Sequence, residues 1–193
     1  MEKNTLIIVE GPQGAGKSTF TNYLRENLGS SDLHRLTGIK DKTKTGLTKV
    51  TKRFQRELDY IKQGTDASNP IMVYDRHFFT DEVYACLGYK EYSFEEQYQK
   101  FLKQLNEMEL NIFLIILYLK DESLYEERLA SRSKFEYQKF DIQNSINQQR
   151  EYLKLADEIE KQSTNINVIR FANDNEEMFE TQMKDFFEKI QKS

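Results

Sequence analysis

Thr5-Leu6-Ile7-Ile8-Val9-Glu10-Gly11-Pro12-Gln13-Gly14-Ala15-Gly16-Lys17-Ser18-Thr19 is the stretch that decides how the rest of the chain reads. Thr5 to Glu10 is a short apolar run rich in β-branched residues, which predicts a buried strand ending at Gly11. Gly11 to Ser18 matches G-x-x-x-x-G-K-[ST], and Gly16 to Asn27 reads as a helix closed by Gly29. A glycine-rich turn between strand and helix lets backbone N–H groups point inward at phosphate oxygens, and the helix N-terminus adds partial positive charge. Lys17 would then reach the β- and γ-phosphates of a nucleoside triphosphate, and the Ser18 hydroxyl would ligate Mg2+. Gly11, Pro12, Gln13, Gly14, Ala15, Gly16, Lys17, Ser18 and Thr19 are the candidate ATP-binding residues. Four fixed positions arise by chance in on the order of 1% of chains this long, and the strand–helix context lowers that further.

Outward from this loop, strands alternate with helices. The pattern predicts strands at Asp32 to Leu36, Ile71 to Tyr74, Ile112 to Leu119 and Asn167 to Phe171. Asp75 sits at the end of the third strand. Helices are predicted at Leu47 to Gln63, Thr80 to Leu87, Phe94 to Glu109, Glu122 to Arg132 and Phe140 to Gln162. Ile142, Ile146, Leu153, Ala156 and Ile159 should form the buried face of the last of these. A final helix carries Phe179, Met183, Phe186 and Ile190 on one face. Gly38 to Gly46 is polar and lysine-rich and reads as a mobile loop, and Gly64 to Pro70 reads as another loop. This alternation means an α/β domain, a five-stranded parallel sheet with helices on both faces.

The 193 residues, with 38% hydrophobic and 31% charged side chains, suit one domain over 1–193 and argue against disorder. The longest apolar run, Ile112 to Leu119, is far short of a membrane span of about 20 residues. A strand beginning at Thr5 leaves no room for a signal peptide. Cys86 is the only cysteine, so a reducing, cytoplasmic location is expected. The net charge of −4 argues against nucleic acid as a partner.

Two further motifs carry chemistry. Tyr74-Asp75-Arg76-His77 ends the third strand, where α/β sheets bind ligands. There Asp75 could orient Mg2+-bound water or an acceptor hydroxyl, and Arg76 could clamp a phosphate. An ordinary surface ion pair is the plainer alternative. Arg128 and Arg132 are one helical turn apart and form, with Lys134, a cationic comb suited to stabilising phosphoryl-transfer charge from a closing lid at about 128–139. A solvated basic face is the alternative here. Strings that would mark a guanine-specific switch, N-K-x-D and D-x-x-G, do not occur. Asp121-Glu122 reads as the acidic first turn of a helix. His34 and His77 make no metal site on spacing.

Together these motifs resemble the thymidylate kinase and deoxynucleoside kinase families of P-loop kinases. Glu10-Gly11 and Gly14-Ala15-Gly16-Lys17-Ser18-Thr19 look like both, and Asp75-Arg76 looks like their Asp/Glu-Arg signature. Asp75-Arg76-His77 and the Arg128 to Lys134 stretch also look like viral thymidine kinases. The resemblance implies a five-stranded parallel sheet, a mobile lid, and transfer of the ATP γ-phosphate to a nucleoside or its monophosphate, with Mg2+. Two departures stand out. Leu36-Thr37-Gly38 occupies the place of the families' Glu-Pro, and Gln13 replaces the loop Asp of thymidylate kinases.

A hydroxyl acceptor needs a base, whereas a phosphate monoester with its second pKa near 6 is already largely dianionic at pH 7. The missing Glu therefore tilts the reading toward a monophosphate, with Asp75 as the remaining base if the acceptor is a hydroxyl. Lys40, Lys42, Lys44, Lys49, Lys52 and Arg53 could neutralise such an acceptor or simply be a solvated face. Phe54 and Tyr84 could stack on its base or be core. A kinase acting on polynucleotide 5′ ends, or an ATPase or regulator without a small-molecule acceptor, are the alternatives. Either assembly, monomer or homodimer, is compatible with the sequence.

Overall fold

β1, the central strand, is apolar on both faces, and the rest of the fold is arranged around that fact. The computed structural model describes residues 4–64, 71–130 and 142–191. Its elements are β1 (Thr5–Glu10), α1 (Lys17–Asn27), β2 (Ser31–Arg35), α2 (Lys44–Gly64), β3 (Ile71–Asp75), α3 (Phe78–Cys86), α4 (Glu95–Asn106), β4 (Asn111–Tyr118), α5 (Leu124–Ala130), α6 (Ile142–Gln162), β5 (Ile166–Ala172) and α7 (Glu176–Gln191). The five strands form one parallel sheet in the order β2-β3-β1-β4-β5.

Right-handed crossovers dictate where the helices lie. Only the β1-to-β2 step moves toward the β2 edge; the later steps all move toward β5. α1 is therefore placed on one face and α2, α3, α4 and α6 on the other, and α7 returns to cover the α1 face. The cores follow this split. Leu6 and Ile8 pack with Phe54 of α2, Phe78 of α3, Phe101 of α4 and Tyr152 of α6. Ile7 and Val9 pack with Phe20 and Leu24 of α1 and with Met183 and Phe186 of α7. Phe179 and Ile190 flank that second core, as the periodicity of α7 predicts.

Several boundaries differ from the expectation, with local causes. α1 ends at Asn27 as expected, but the residue that stops it is Leu28, which turns to an extended conformation (φ −95°, ψ 94°), and not Gly29. α2 starts at Lys44, three residues early, because Asp41 accepts from the Thr43 N–H and hydroxyl and from Lys49. That closes the polar loop onto the helix, and Gly46 falls inside its first turn, where a Cβ would collide with the Asp41 carbonyl. The lid segment from 131 to 139, with Arg132 and Lys134, and the loop from 65 to 70 lie outside the described residues.

The buried face of α6 also needs correction. It is Ser145, Gln148, Gln149, Tyr152, Leu155, Ala156 and Ile159, with Ile142, Ile146 and Leu153 only half-buried. Its first two turns are polar because Gln149 closes the end of β4. The Gln149 carboxamide accepts from the Leu119 N–H (2.8 Å) and donates to the Leu119 carbonyl (3.0 Å), and Tyr125 donates to it as well (2.6 Å). Gln182 repeats the device at Ala172, the end of β5. Apolar periodicity cannot detect a glutamine acting as a strand partner.

Gln149→Ala strips both hydrogen bonds from the Leu119 peptide and orphans the Tyr125 hydroxyl. The expected loss is about 2–3 kcal/mol in urea unfolding, against under about 0.5 kcal/mol for exposed Gln143→Ala.

Candidate functional site

The carboxyl ends of β1 and β3 lie side by side, with Val9 opposite Asp75. The phosphate loop leaves one and the Asp75-Arg76-His77 turn leaves the other. Gly11 and Gly16 hold φ values of 141° and 91°, the region open to glycine. A Cβ at Gly11 would strike the Leu117 carbonyl of β4, and one at Gly16 would strike the Asn173 carboxamide, which donates to the Ala15 carbonyl (2.8 Å). The loop is thus clasped by the ends of β4 and β5. Lys17 is buried, and its Nζ donates to the Gly11 and Pro12 carbonyls at 2.7 Å each, inside the loop. Gln13 is buried, whereas Ser18 and Thr19 open α1 with exposed side chains.

Arg76 is a non-glycine residue at φ 73°, a strained conformation, and its N–H extends the β1 ladder to the Val9 carbonyl (3.0 Å). Glu10 holds this turn. It is fully buried; Oε1 accepts from the His77 N–H and Oε2 from the Thr80 hydroxyl, both at 2.6 Å. Tyr152 of α6 meets the same Thr80 hydroxyl at 2.8 Å. Glu10 therefore caps the N-terminus of α3 from across the sheet. Burial raises its pKa to about 7 against the pull of these donors and of the Arg76 and Lys17 charges. Burial, helped by the Arg53 charge, pushes His77 down to about 3, so its imidazole is neutral. The Tyr74 ring lies against both His34 and His77 and separates them.

The other sequence-derived residues divide. Asp75 is 8% exposed and faces Arg35 of β2 at 3.8 Å. Arg53 alone of the basic cluster turns inward, donating to the Thr37 carbonyl where the Glu-Pro would stand. Lys40, Lys42, Lys44 and Lys52 are exposed, and Lys49 is held by Asp41. Phe54 is built into the aromatic core, against His77, Phe78, Phe94 and Phe101. Tyr84 is half-buried, its ring 5.6 Å from Tyr89, and its hydroxyl is within electrostatic reach of Arg76. Arg128 stands beside the phosphate loop, donating to the Asn173 and Asp174 carbonyls. Asp121 accepts from the Ser123 N–H and hydroxyl at the start of α5, the helix-turn role its sequence suggested.

Sequence reasoning missed Arg35, and it missed a buried ion pair between Asp81 of α3 and Lys90 (3.4 Å), whose ammonium also donates to the Ile39 carbonyl. Burial raises the Asp81 pKa, opposed first by Lys90. Asp81 sits in the mixed stretch Phe78-Phe79-Thr80-Asp81-Glu82-Val83, where nothing in the sequence distinguishes it from a surface carboxylate.

Among the described residues no cluster of three or more His, Cys, Asp or Glu could hold a metal ion. The oxygen donors near the loop, the Ser18 hydroxyl and the Asp75 carboxylate, suit instead a Mg2+ that arrives with phosphate oxygens. Among the described residues no helix is long and apolar enough to cross a membrane.

Solved structures share this architecture. The deoxyadenosine kinase of M. mycoides, with products dCMP and a flexible dCDP bound, aligns with a TM-score of 0.60 at 17% identity, covering 97% of this chain and 100% of that one. The YorR protein of Bacillus subtilis, in complex with phosphorylated GDP, aligns with a TM-score of 0.65 at 20% identity over 94% of each chain. Thymidylate kinase of Candida albicans aligns with a TM-score of 0.59 at 15% identity, over 98% and 93%. No protein-family model matches the chain, and no curated protein matches it in sequence. At these identities the likeness is one of fold, and the fold is that of the P-loop kinases.

The Glu10 environment makes a pH prediction. The folded state keeps a proton up to about pH 7 that the unfolded chain releases near 4.5. Stability from this group is full below pH 4.5 and is lost as pH rises through 7. Glu10→Gln keeps a neutral group that still accepts from His77. Its stability relative to the natural protein should therefore increase from pH 5 to pH 8, by about 2–3 kcal/mol in urea unfolding. A difference that stays level across that range would place the Glu10 pKa elsewhere. The His77 contribution is common to both proteins and cancels.

Proposed function

We propose that this protein is an ATP- and Mg2+-dependent kinase that transfers the γ-phosphate to a nucleoside monophosphate or nucleoside, ribo or deoxy, with the monophosphate favoured. The observation that carries this reading is the junction at Glu10, where one buried carboxylate joins the strand that feeds the phosphate loop to the turn that presents Asp75 and Arg76. A donor site and an acceptor site set side by side on rigid strand ends provide the positioning that phosphoryl transfer requires. The solved structures sharing the fold include two named as kinases of nucleosides or nucleotides.

In this reading Lys17 balances charge on the β- and γ-phosphates, and the backbone of Gly11 to Ser18 cradles them. Mg2+, held by Ser18 with Asp75 nearby, would neutralise charge on the triphosphate. Arg76 holds the acceptor, assisted by Arg53, with Tyr84 against the acceptor base and Phe54 beneath. Arg128 and Arg132 act from the lid base and the lid. The monophosphate is favoured because the carboxylates nearest the turn are engaged: Glu10 by His77 and Thr80, Asp81 by Lys90, and Asp75 by Arg35. A phosphate acceptor needs no base, and the adjoining arginines suit its charge. The chain forms one kinase domain in this reading.

Labelled ATP with a panel of nucleosides and monophosphates tests it. A kinase releases ADP in proportion to acceptor, whereas acceptor-independent release would favour an ATPase. Lys17→Ala should abolish transfer, a loss of 10³-fold or more, with an unchanged circular dichroism spectrum. Arg76→Ala should raise the acceptor KM about tenfold or more and move the ATP KM far less, and Asp75→Asn should lower kcat. An Arg76→Ala enzyme impaired only in ATP KM would remove Arg76 from the acceptor site. Arg132→Ala should lose on the order of 10³-fold in kcat with ATP affinity nearly unchanged.

A further inference from the structure

Helices α3 and α6 lie against each other with a register that two contacts define. The Tyr152 hydroxyl meets Thr80, and Tyr89, just beyond α3, donates to the Asn144 carboxamide (3.1 Å). Residue numbers rise along one partner as they fall along the other, so the helices run antiparallel and Gln148, midway between Asn144 and Tyr152, falls at the level of Tyr84. Helical periodicity agrees: 144, 148 and 152 follow one another at i+4 along one flank, while Gln149 turns the other way to the end of β4.

Gln148 is fully buried, and neither its carboxamide oxygen nor its nitrogen has a hydrogen-bond partner. Ser145, one turn earlier on the same face, is also buried with an unpartnered hydroxyl. Buried polar groups are nearly always satisfied, and an orphaned amide costs stability without structural return. Gln149, its neighbour, is fully engaged, so the contrast lies in the position and not in the residue type. An unmet group of this kind, at the level of a tyrosine within electrostatic reach of Arg76, is placed where a ligand could satisfy it.

We propose that Gln148 is the acceptor-specificity residue, its carboxamide hydrogen-bonding the edge of a nucleobase that lies against Tyr84. This inference rests on the kinase reading above. A carboxamide presents one acceptor and one donor side by side in a plane. Nucleobase edges present the complement, either as amide N–H and C=O or as ring nitrogen and amino group, and a half-turn of the side chain serves both. A sugar or a phosphate has no such flat pair. The aromatic ring at the same level supplies the stacking face that a base requires.

Gln148→Leu tests the assignment, with acceptor kinetics and thermal unfolding read together. Removing both hydrogen bonds should lower acceptor kcat/KM about 10²-fold or more, mostly through KM, and leave the ATP KM within about twofold. Because the substitution removes an orphaned buried amide, Tm without ligands should rise by about 2–4 °C. Acceptor kcat/KM within about threefold of the natural protein overturns the inference and leaves the kinase reading intact. A fall in Tm with ATP and acceptor equally impaired also overturns it, in favour of a structural role. If the natural protein phosphorylates no member of the panel, the kinase reading and this inference fall together.

Discussion

The Glu10 carboxylate is buried where the end of β1, the Arg76 turn and α6 meet, and the site depends on its two hydrogen bonds. It accepts from the His77 N–H at the N-terminus of α3, fixes the strained backbone at Arg76, and through Thr80 reaches Tyr152. A carboxylate without water is costly, and its pKa rises accordingly. The cost is offset by order: the phosphate loop and the arginine turn cannot shift independently while one side chain is bonded across both strands. Positive φ at Arg76 persists for the same reason, because its own N–H is bonded to Val9 and the following N–H, of His77, to Glu10, which holds the peptide groups on either side of its Cα.

Strand order and helix sidedness follow from few rules, and much of that was legible in the sequence. β1 and β4 announce themselves as unbroken apolar runs, and the phosphate loop is recognisable because its glycines must adopt conformations other residues avoid. What escaped was of two kinds. The first comprises polar side chains doing the work of backbone: Gln149 and Gln182 finish strands, and Asp41 starts a helix early. Their partners are distant in sequence or depend on loop shape, so periodicity is blind to them. The second comprises groups whose meaning comes from burial. Glu10 was visible as a letter beside the loop, yet nothing in one dimension says that it faces His77 rather than solvent. Asp81 and Lys90 are likewise ordinary until the fold removes their water.

The basic loop shows the same division within one motif. Of six cations, only Arg53 comes close enough to bear on His77 of the Arg76 turn, because it sits one residue from Phe54 on α2, whereas Lys44 and Lys52 follow the helix surface into solvent, Lys40 and Lys42 precede the helix, and Lys49 is held by Asp41. Composition counts charges, but helical phase decides which of them can meet a substrate.

The clasp on the phosphate loop also says when the loop can exist. β1 is the first strand synthesised, yet its partners begin at Ile71 and Asn111, and the atoms that crowd Gly11 and Gly16 belong to Leu117 and Asn173. Until those late segments arrive, the glycine-rich turn is a flexible chain with no fixed concavity. Parallel pairing over such separations makes for slow folding. The concavity should therefore be acquired near the end of folding, so that whatever ligand it takes can stabilise only the finished molecule.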